Sequence, residues 1–172
     1  GIGRTGKPFA FQHFNIQPDI ITSAKGLGNG LPIGAMIGKE ALSEFFNPGS
    51  HGSTFGGNPV SVSAAEAVLK EIFQSGFLKE TVKKAEYLES ELAKALKDME
   101  EVKEIRGLGM MVGIECKQDV QAFLMELQEE GLLVLSAGPK VLRLLPSLTV
   151  TESEINSAIN KIKKVLAIKQ TV

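Results

Sequence analysis

The sequence has little cysteine, tryptophan or histidine, and its charges nearly cancel. It contains one Cys, no Trp and two His, with 19 Lys and Arg against 20 Asp and Glu. A lone Cys116 can form neither an internal disulfide nor a thiolate metal site, which favours a reducing compartment, so we expect a cytoplasmic protein. A net charge of −1 gives no basic surface for nucleic acid or an anionic membrane, and neither partner is expected. No apolar run reaches the roughly 18 residues of a transmembrane helix.

Glycine and charge are distributed unevenly along the chain. Residues 1–60 hold 12 of the 18 Gly but only 7 of the 39 charged side chains. Such a stretch is typical of loops packed inside a larger body, where backbone approaches backbone or ligand closely. We therefore expect two domains, residues 1–75 and residues 76–172. The abrupt start on a glycine-rich turn leads us to interpret the chain as a fragment of a longer protein.

Hydrophobic spacing predicts an α+β arrangement in the second domain, with helices on one face of a sheet. Strands are predicted at 20–22, 35–37, 102–106, 110–115, 132–135 and 141–145. Helices are predicted at 39–46, 58–76, 78–96, 120–130 and from 151 onward. Asn58 should cap its helix with Pro59 in the first position, and Thr151 with Glu154 fits a capping box.

Three patterns resemble functional motifs but fail in detail. Gly1 to Lys7 has the G-x-x-x-x-G-K spacing of a phosphate-binding loop, but Pro8 stands where a magnesium-binding hydroxyl is needed. The glycines of 26–30 follow a predicted strand, yet the next residues break the dinucleotide-binding spacing. His13 and His51 lack further ligands at metal spacing, so we predict no metal site.

Lys25 is the strongest candidate for chemistry. It follows an apolar predicted strand and leads into three glycines, with no acidic residue on its C-terminal side until Glu40. A lysine withdrawn from water is more readily neutral, and a neutral amine can attack a carbonyl to form a Schiff base. Spacing alone favours the alternative, a lysine at a strand end that reaches into solvent, because lysine is seldom fully buried.

Five blocks of sequence, in this order, resemble one family. They are GIGRTG at 1–6, PDIITSAKGLGNGLPIGA at 18–35, HGSTFGGNP at 51–59, RGLGMM at 106–111 and LRLLP at 142–146. Together they resemble the class III aminotransferases, fold-type I enzymes that use pyridoxal 5′-phosphate, and within that class the acetylornithine branch, with the ornithine branch close behind. The resemblance implies an α/β fold, here the tail of the large domain at 1–75 and the small α+β C-terminal domain at 76–172. One departure is Ser147, where the family commonly has a second proline.

The resemblance also implies roles for individual residues. Lys25 would form an imine with the cofactor and then move a proton between substrate and cofactor. Thr54, with Ser53 beside it, would bind the cofactor phosphate from a neighbouring subunit, which implies a homodimer with shared sites. Arg143 would bind a substrate carboxylate, for which a planar guanidinium is suited. The substrates would be an amino acid and a 2-oxo acid, specifically N-acetylornithine and 2-oxoglutarate.

Other parts of the family's active site fall upstream of residue 1. They are the aspartate that pairs with the pyridine nitrogen, the glycine-rich phosphate cup and the aromatic ring that stacks on the cofactor. We therefore expect the chain alone to be inactive. Ornithine aminotransferase, 4-aminobutyrate aminotransferase and glutamate-1-semialdehyde aminomutase remain alternatives, and so does a non-catalytic dimerisation or binding module.

Overall fold

The fold was analysed in a computed structural model that describes residues 1–168. The chain forms two compact units, Gly1–Leu78 and a second unit from Lys79 onward. Residues 169–172, the end of the second predicted domain, lie outside the described part. No described helix is both long enough and apolar enough to cross a bilayer.

The first unit is built around an antiparallel hairpin of β1 (Ile20–Ala24) and β2 (Gly34–Gly38). Its register pairs Ile20 with Gly38 and Ala24 with Gly34. The loop of residues 25–33 therefore projects from the Ala24 end of the hairpin. Both strands were predicted, and each extends past the predicted bounds.

Helix α1 (Pro59–Ile72) closes the first unit. The side chain of Asn58 caps it by accepting a 3.0 Å hydrogen bond from the Ser61 amide, as predicted. Such a cap satisfies one of the amides that a helix N-terminus leaves free. A small core then joins α1 to the start of the chain and to the loop after β1; its buried members are Ile2, Leu27, Ala65 and Ile72.

The second unit is a four-stranded antiparallel sheet with three helices. Its strands lie in the order β3 (Val102–Gly107), β4 (Val112–Cys116), β6 (Val141–Leu144), β5 (Leu135–Ser136). The helices are α2 (Phe77–Leu96, which begins in the first unit), α3 (Gln121–Glu129) and α4 (Glu152–Ile168). The capping box at the start of α4 is confirmed, because the Thr151 amide donates to Glu154 at 2.8 Å and the Glu154 amide donates to the Thr151 hydroxyl at 3.3 Å.

Side chains on one face of the sheet form the core of the second unit. Ile114 and Leu142 on neighbouring strands are fully buried, as are Leu92 of α2 and Ile162 of α4. Alternation along β4 separates this face from the other, since its residues are in turn buried and half-buried. The helices thus cover one face, as predicted, and the opposite face presents polar and small residues.

Four predicted elements differ from the structure. The helix predicted to continue from Pro59 until Gly76 ends at Ile72, because Phe73 already departs from helical backbone angles (φ −92°, ψ 4°). The helix predicted at 39–46 is a 3₁₀ helix over Glu40–Phe45. The strand predicted at 132–135 is wrong except at its end, because β5 begins only at Leu135. The strand predicted at 110–115 begins at Val112, since the preceding residues form the β3–β4 turn, in which the Leu108 amide donates to the carbonyl of Met111 at 3.1 Å.

Candidate active site

Lys25 lies at the tip of the β1–β2 hairpin, directly after β1. Its backbone has a φ of 52°, in the left-handed region that non-glycine residues rarely adopt. A 3₁₀ turn over Lys25–Leu27 follows, in which the Gly28 amide donates to the Lys25 carbonyl at 3.0 Å. This turn begins the loop that leads to β2, and Lys25 therefore lies directly at the end of β1.

A pocket of about 770 Å³ opens beside Lys25 in the first unit. Its walls include Ile2, Phe9, Thr22 and Met36, and so combine apolar side chains with a hydroxyl. No hydrogen bond or ion pair engages the Lys25 amine within residues 1–168, and the side chain is exposed. The described residues alone therefore do not withdraw this amine from water, as expected for a chain that lacks the upstream part of the family's active site.

Ser53 and Thr54 lie in the turn that leads into α1. The Ser53 hydroxyl accepts a 2.9 Å hydrogen bond from the Gly56 amide, which fixes the turn. Thr54 is exposed. Neither residue lines the pocket beside Lys25, so the structure does not bring these hydroxyls to the lysine of the same chain.

Arg143 belongs to the second unit, where it lies on the open face of β6. It is half-buried and lines a groove of about 390 Å³ with Leu108, Ala137 and Val141. Its Nε is buried without a hydrogen-bond partner. An unpaired N–H in such a place is a donor available to a ligand, and a guanidinium offers a carboxylate two parallel bonds.

A second arginine lines the same groove, and sequence reasoning gave it no role. Nη1 of Arg106 donates to Glu104 at 2.7 Å and to Glu115 at 2.5 Å. Glu115 also accepts a 2.5 Å hydrogen bond from Lys103. The sequence signal for this network was the alternation of Glu104 and Arg106 on β3. Placing Glu115 beside them required the register between β3 and β4.

The patterns that resemble a phosphate-binding loop, a dinucleotide-binding loop and a metal site do not have the geometry of those sites within the described residues. The segment 1–7 is a series of turns that leads to a 3₁₀ helix, and the glycines of 26–30 lead to β2 rather than to an α-helix. His51 lies 3.1 Å from the Ser50 hydroxyl through Nδ1. Among residues 1–168 no group of three or more His, Cys, Asp or Glu side chains could hold a metal ion.

Comparison with known proteins identifies relatives over nearly all of the chain. Residues 1–166 match the family model described as aminotransferase class-III. The acetylornithine aminotransferase of Bacillus subtilis (strain 168) is 56% identical over 167 residues, which cover 97% of this chain and 43% of that protein. The chain thus spans less than half the length of the curated relatives it matches.

Solved structures agree with this match. An acetylornithine aminotransferase from Elizabethkingia anophelis superposes with a TM-score of 0.88 at 30% identity, covering 98% of this chain and 45% of that one. An ornithine aminotransferase from Toxoplasma gondii, described with partial occupancy of PLP at its active site, has a TM-score of 0.90 at 31% identity, with 99% and 42% covered. With both the sequence and the fold matched over this length, the chain belongs to the class III aminotransferase family.

Proposed function

We propose that this chain is the C-terminal part of a pyridoxal-phosphate-dependent aminotransferase that moves the terminal amino group of N-acetylornithine to 2-oxoglutarate. The observation that carries the proposal is Lys25, an unengaged amine at a strand end beside a pocket, in a chain 56% identical to an acetylornithine aminotransferase. In this proposal residues 1–75 end the large cofactor-binding domain, and residues 76–172 form the small domain.

The residues at the pocket fit the cofactor chemically. Pyridoxal phosphate carries an aldehyde, and the reactive partner that an aldehyde needs is an amine without a competing ion pair. Lys25 meets that requirement, and the apolar walls at Ile2 and Phe9 suit an aromatic ring. When bound, the cofactor would supply the electron sink that makes the hydrogen on the amine-bearing carbon of the substrate labile.

Lys25 would have two roles in turnover. Its Nζ would hold the cofactor in the resting enzyme, and the same amine, once the substrate amine has taken its place, would accept and return a proton as general base. Both roles need a side chain that is anchored at its backbone but free at its tip. The hairpin and the 3₁₀ turn after β1 anchor the backbone, and the amine makes no bond that would hold it elsewhere among the described residues.

The family resemblance supplies the proposed roles of the other predicted residues. Ser53 and Thr54 would bind the phosphate in the neighbouring subunit of a homodimer, in keeping with their exposed position outside the Lys25 pocket. Arg143 would bind the carboxylate of the amino-acid or 2-oxo-acid substrate through its unpartnered side. A cytoplasmic location, which the single cysteine favours, belongs to the same proposal.

Substrate assays on the full-length protein test this proposal. Purified protein supplied with pyridoxal phosphate and 2-oxoglutarate should release glutamate with N-acetylornithine faster than with ornithine or 4-aminobutyrate. A preference for one of those amines would assign the protein to another branch, and isomerisation of glutamate-1-semialdehyde would indicate the aminomutase. Failure to develop the absorption band of a lysine-bound cofactor would favour a non-catalytic module.

A further inference from the structure

The open face of the second unit's sheet carries two arginines in one cross-strand row. Arg106 pairs with Gly113 in register, Gly113 pairs with Arg143, and Arg143 pairs with Leu135. Paired residues of neighbouring strands project from the same face, so both guanidinium groups belong to the open side, with their backbones roughly 10 Å apart across two strand spacings. Both also line the same groove.

Gly113 has no side chain to occupy the surface between the two arginines. A Cβ at this position would lie 3.1 Å from Cγ1 of Val141 and 3.7 Å from the carbonyl oxygen of Arg106. Any side chain would therefore narrow the groove at the middle of the row. The glycine leaves room there for the aliphatic part of a ligand whose carboxylate reaches Arg143.

The two arginines differ in how their charge is compensated. Arg106 is shared between the carboxylates of Glu104 and Glu115, and Glu115 is itself held by Lys103. These four side chains sum to zero charge. Arg143 makes no ion pair within the described residues, so it is the uncompensated cation of the groove.

The geometry points to Glu115 as a specificity-determining residue that acts through Arg106. By neutralising that arginine, Glu115 leaves the groove with one uncompensated guanidinium, that of Arg143, so that the groove binds one carboxylate of a substrate and a second carboxylate, as in 2-oxoglutarate, is bound outside it. This inference rests on the proposed role of Arg143 in binding a substrate carboxylate. Glu115 touches no ligand in this scheme, and it is a positioning residue. Its side chain is only 19% exposed, whereas that of Glu104 is 55% exposed, so Glu115 is the better placed of the two carboxylates to fix Arg106.

The test compares two inert five-carbon acids, glutarate with two carboxylates and valerate with one, by calorimetry on the cofactor-loaded full-length protein. In Glu115→Gln the affinity for glutarate relative to valerate should rise roughly fivefold to tenfold, the effect of one added, partly screened charge near the second carboxylate. Glu104→Gln should shift the same ratio by less, because Glu115 still holds Arg106. A merely structural role for Glu115 would change both affinities together and leave the ratio constant.

Glu91→Gln is the matched control. It removes the same charge from an ion pair with Lys94 on α2, beside a different cavity. An unchanged ratio in Glu115→Gln, or an equal rise in Glu91→Gln, would overturn the inference. The measurement needs no turnover, so a protein that transaminates normally with a constant ratio refutes only the role of Glu115. A protein with a raised ratio but no transaminase activity refutes only the proposed reaction.

Discussion

Asp19 and Lys39 form a 2.6 Å ion pair at the end of the β1–β2 hairpin opposite to Lys25. The Lys39 amide also donates to the Asp19 carbonyl at 3.0 Å, so the hairpin is closed at its base by backbone and side chain together. The pair lowers the pKa of the Asp19 carboxyl through the hydrogen bond and charge of Lys39. One hairpin thus carries two lysines, one engaged by a carboxylate and one free.

This difference gives a matched test of cofactor attachment. Borohydride treatment of the full-length protein should fix pyridoxal phosphate on Lys25 and on no other lysine, as read by peptide mass spectrometry. Lys25→Ala should abolish both the label and transamination, because no neighbouring group replaces the amine. Lys39→Ala should keep both. Label on a different lysine in the wild-type protein would contradict the assignment.

Arg143→Lys should weaken binding of the amino-acid substrate by about 1.5 to 3 kcal/mol, the range for hydrogen bonds to charged groups. Lysine keeps the charge but cannot form two parallel bonds to one carboxylate. The measurements are Michaelis constants for both substrates and the cofactor dissociation constant. Substrate constants that stay at their wild-type values would place carboxylate recognition elsewhere, whereas the cofactor constant should not move.

The isolated 172-residue chain should be inactive and should be cut by proteases within residues 1–60. The side chains of Phe14, Phe45 and Phe55 are more than half exposed in this region, a pattern that marks surfaces completed by further protein. The second unit has its own buried core and should survive as a fragment starting near residue 76. Limited proteolysis with mass spectrometry identifies the cuts. Robust transaminase turnover by this chain alone would contradict the prediction.

The Cys116 thiol should react with iodoacetamide only after unfolding. Burial, with a smaller effect of Glu101, raises the pKa of this thiol from 9.0 to about 11, which lowers its thiolate fraction at pH 8 roughly a hundredfold. The pKa of this thiol is higher in the folded state than in the unfolded state. Its contribution to the free energy of unfolding is therefore complete below pH 9 and is lost as the pH rises toward 11. Denaturant melts should show a larger loss of stability between pH 8 and pH 10.5 in the wild-type protein than in Cys116→Val.

Acid should weaken the second unit partly through Glu115. Hydrogen bonds from Lys103 and then Arg106 lower the pKa of this carboxyl below its ordinary 4.5. A lowered folded pKa stabilises the fold above pH 4.5, and that stabilisation is lost as the pH falls through the folded value. Glu115→Gln should therefore have a flatter stability profile below pH 4.5 in denaturant titrations. Glu100→Gln is the control, because Glu100 forms no ion pair among the described residues. Its stability should change with pH below pH 4.5 as that of the wild-type protein does.

Local sequence signals predicted the structure best. The cap at Asn58 and the capping box of Thr151 and Glu154 depend on residues at most three positions apart, so their chemistry is readable from spacing. The predicted strand at 132–135 began too early. Leu132 and Val134 are apolar because they pack against the core, and neither belongs to a strand of the sheet. Apolar composition alone does not separate these cases.

The candidate site was predicted in part. The position of Lys25 after a strand followed from the sequence, and its proposed role followed from family resemblance. The difference in ion pairing between Arg106 and Arg143 could not be predicted, because it depends on which residues of β4 pair with β3 and with β6. A register shift of one residue would put Glu115 on the other face and free Arg106. Ser147, the residue that departs from the pattern expected from the family resemblance, forms a hydroxyl contact of 2.8 Å with Thr149 in the turn before α4.

The left-handed backbone of Lys25 has an evolutionary consequence. A side chain other than glycine costs on the order of 1 kcal/mol there, and asparagine tolerates the conformation better than lysine. The proposed chemistry and the backbone conformation therefore favour different residues at position 25. In a paralogue without catalytic activity, replacement of this lysine by asparagine would stabilise the fold. Asparagine at this position in a paralogue that is otherwise similar over its length would thus indicate a family member without aminotransferase activity.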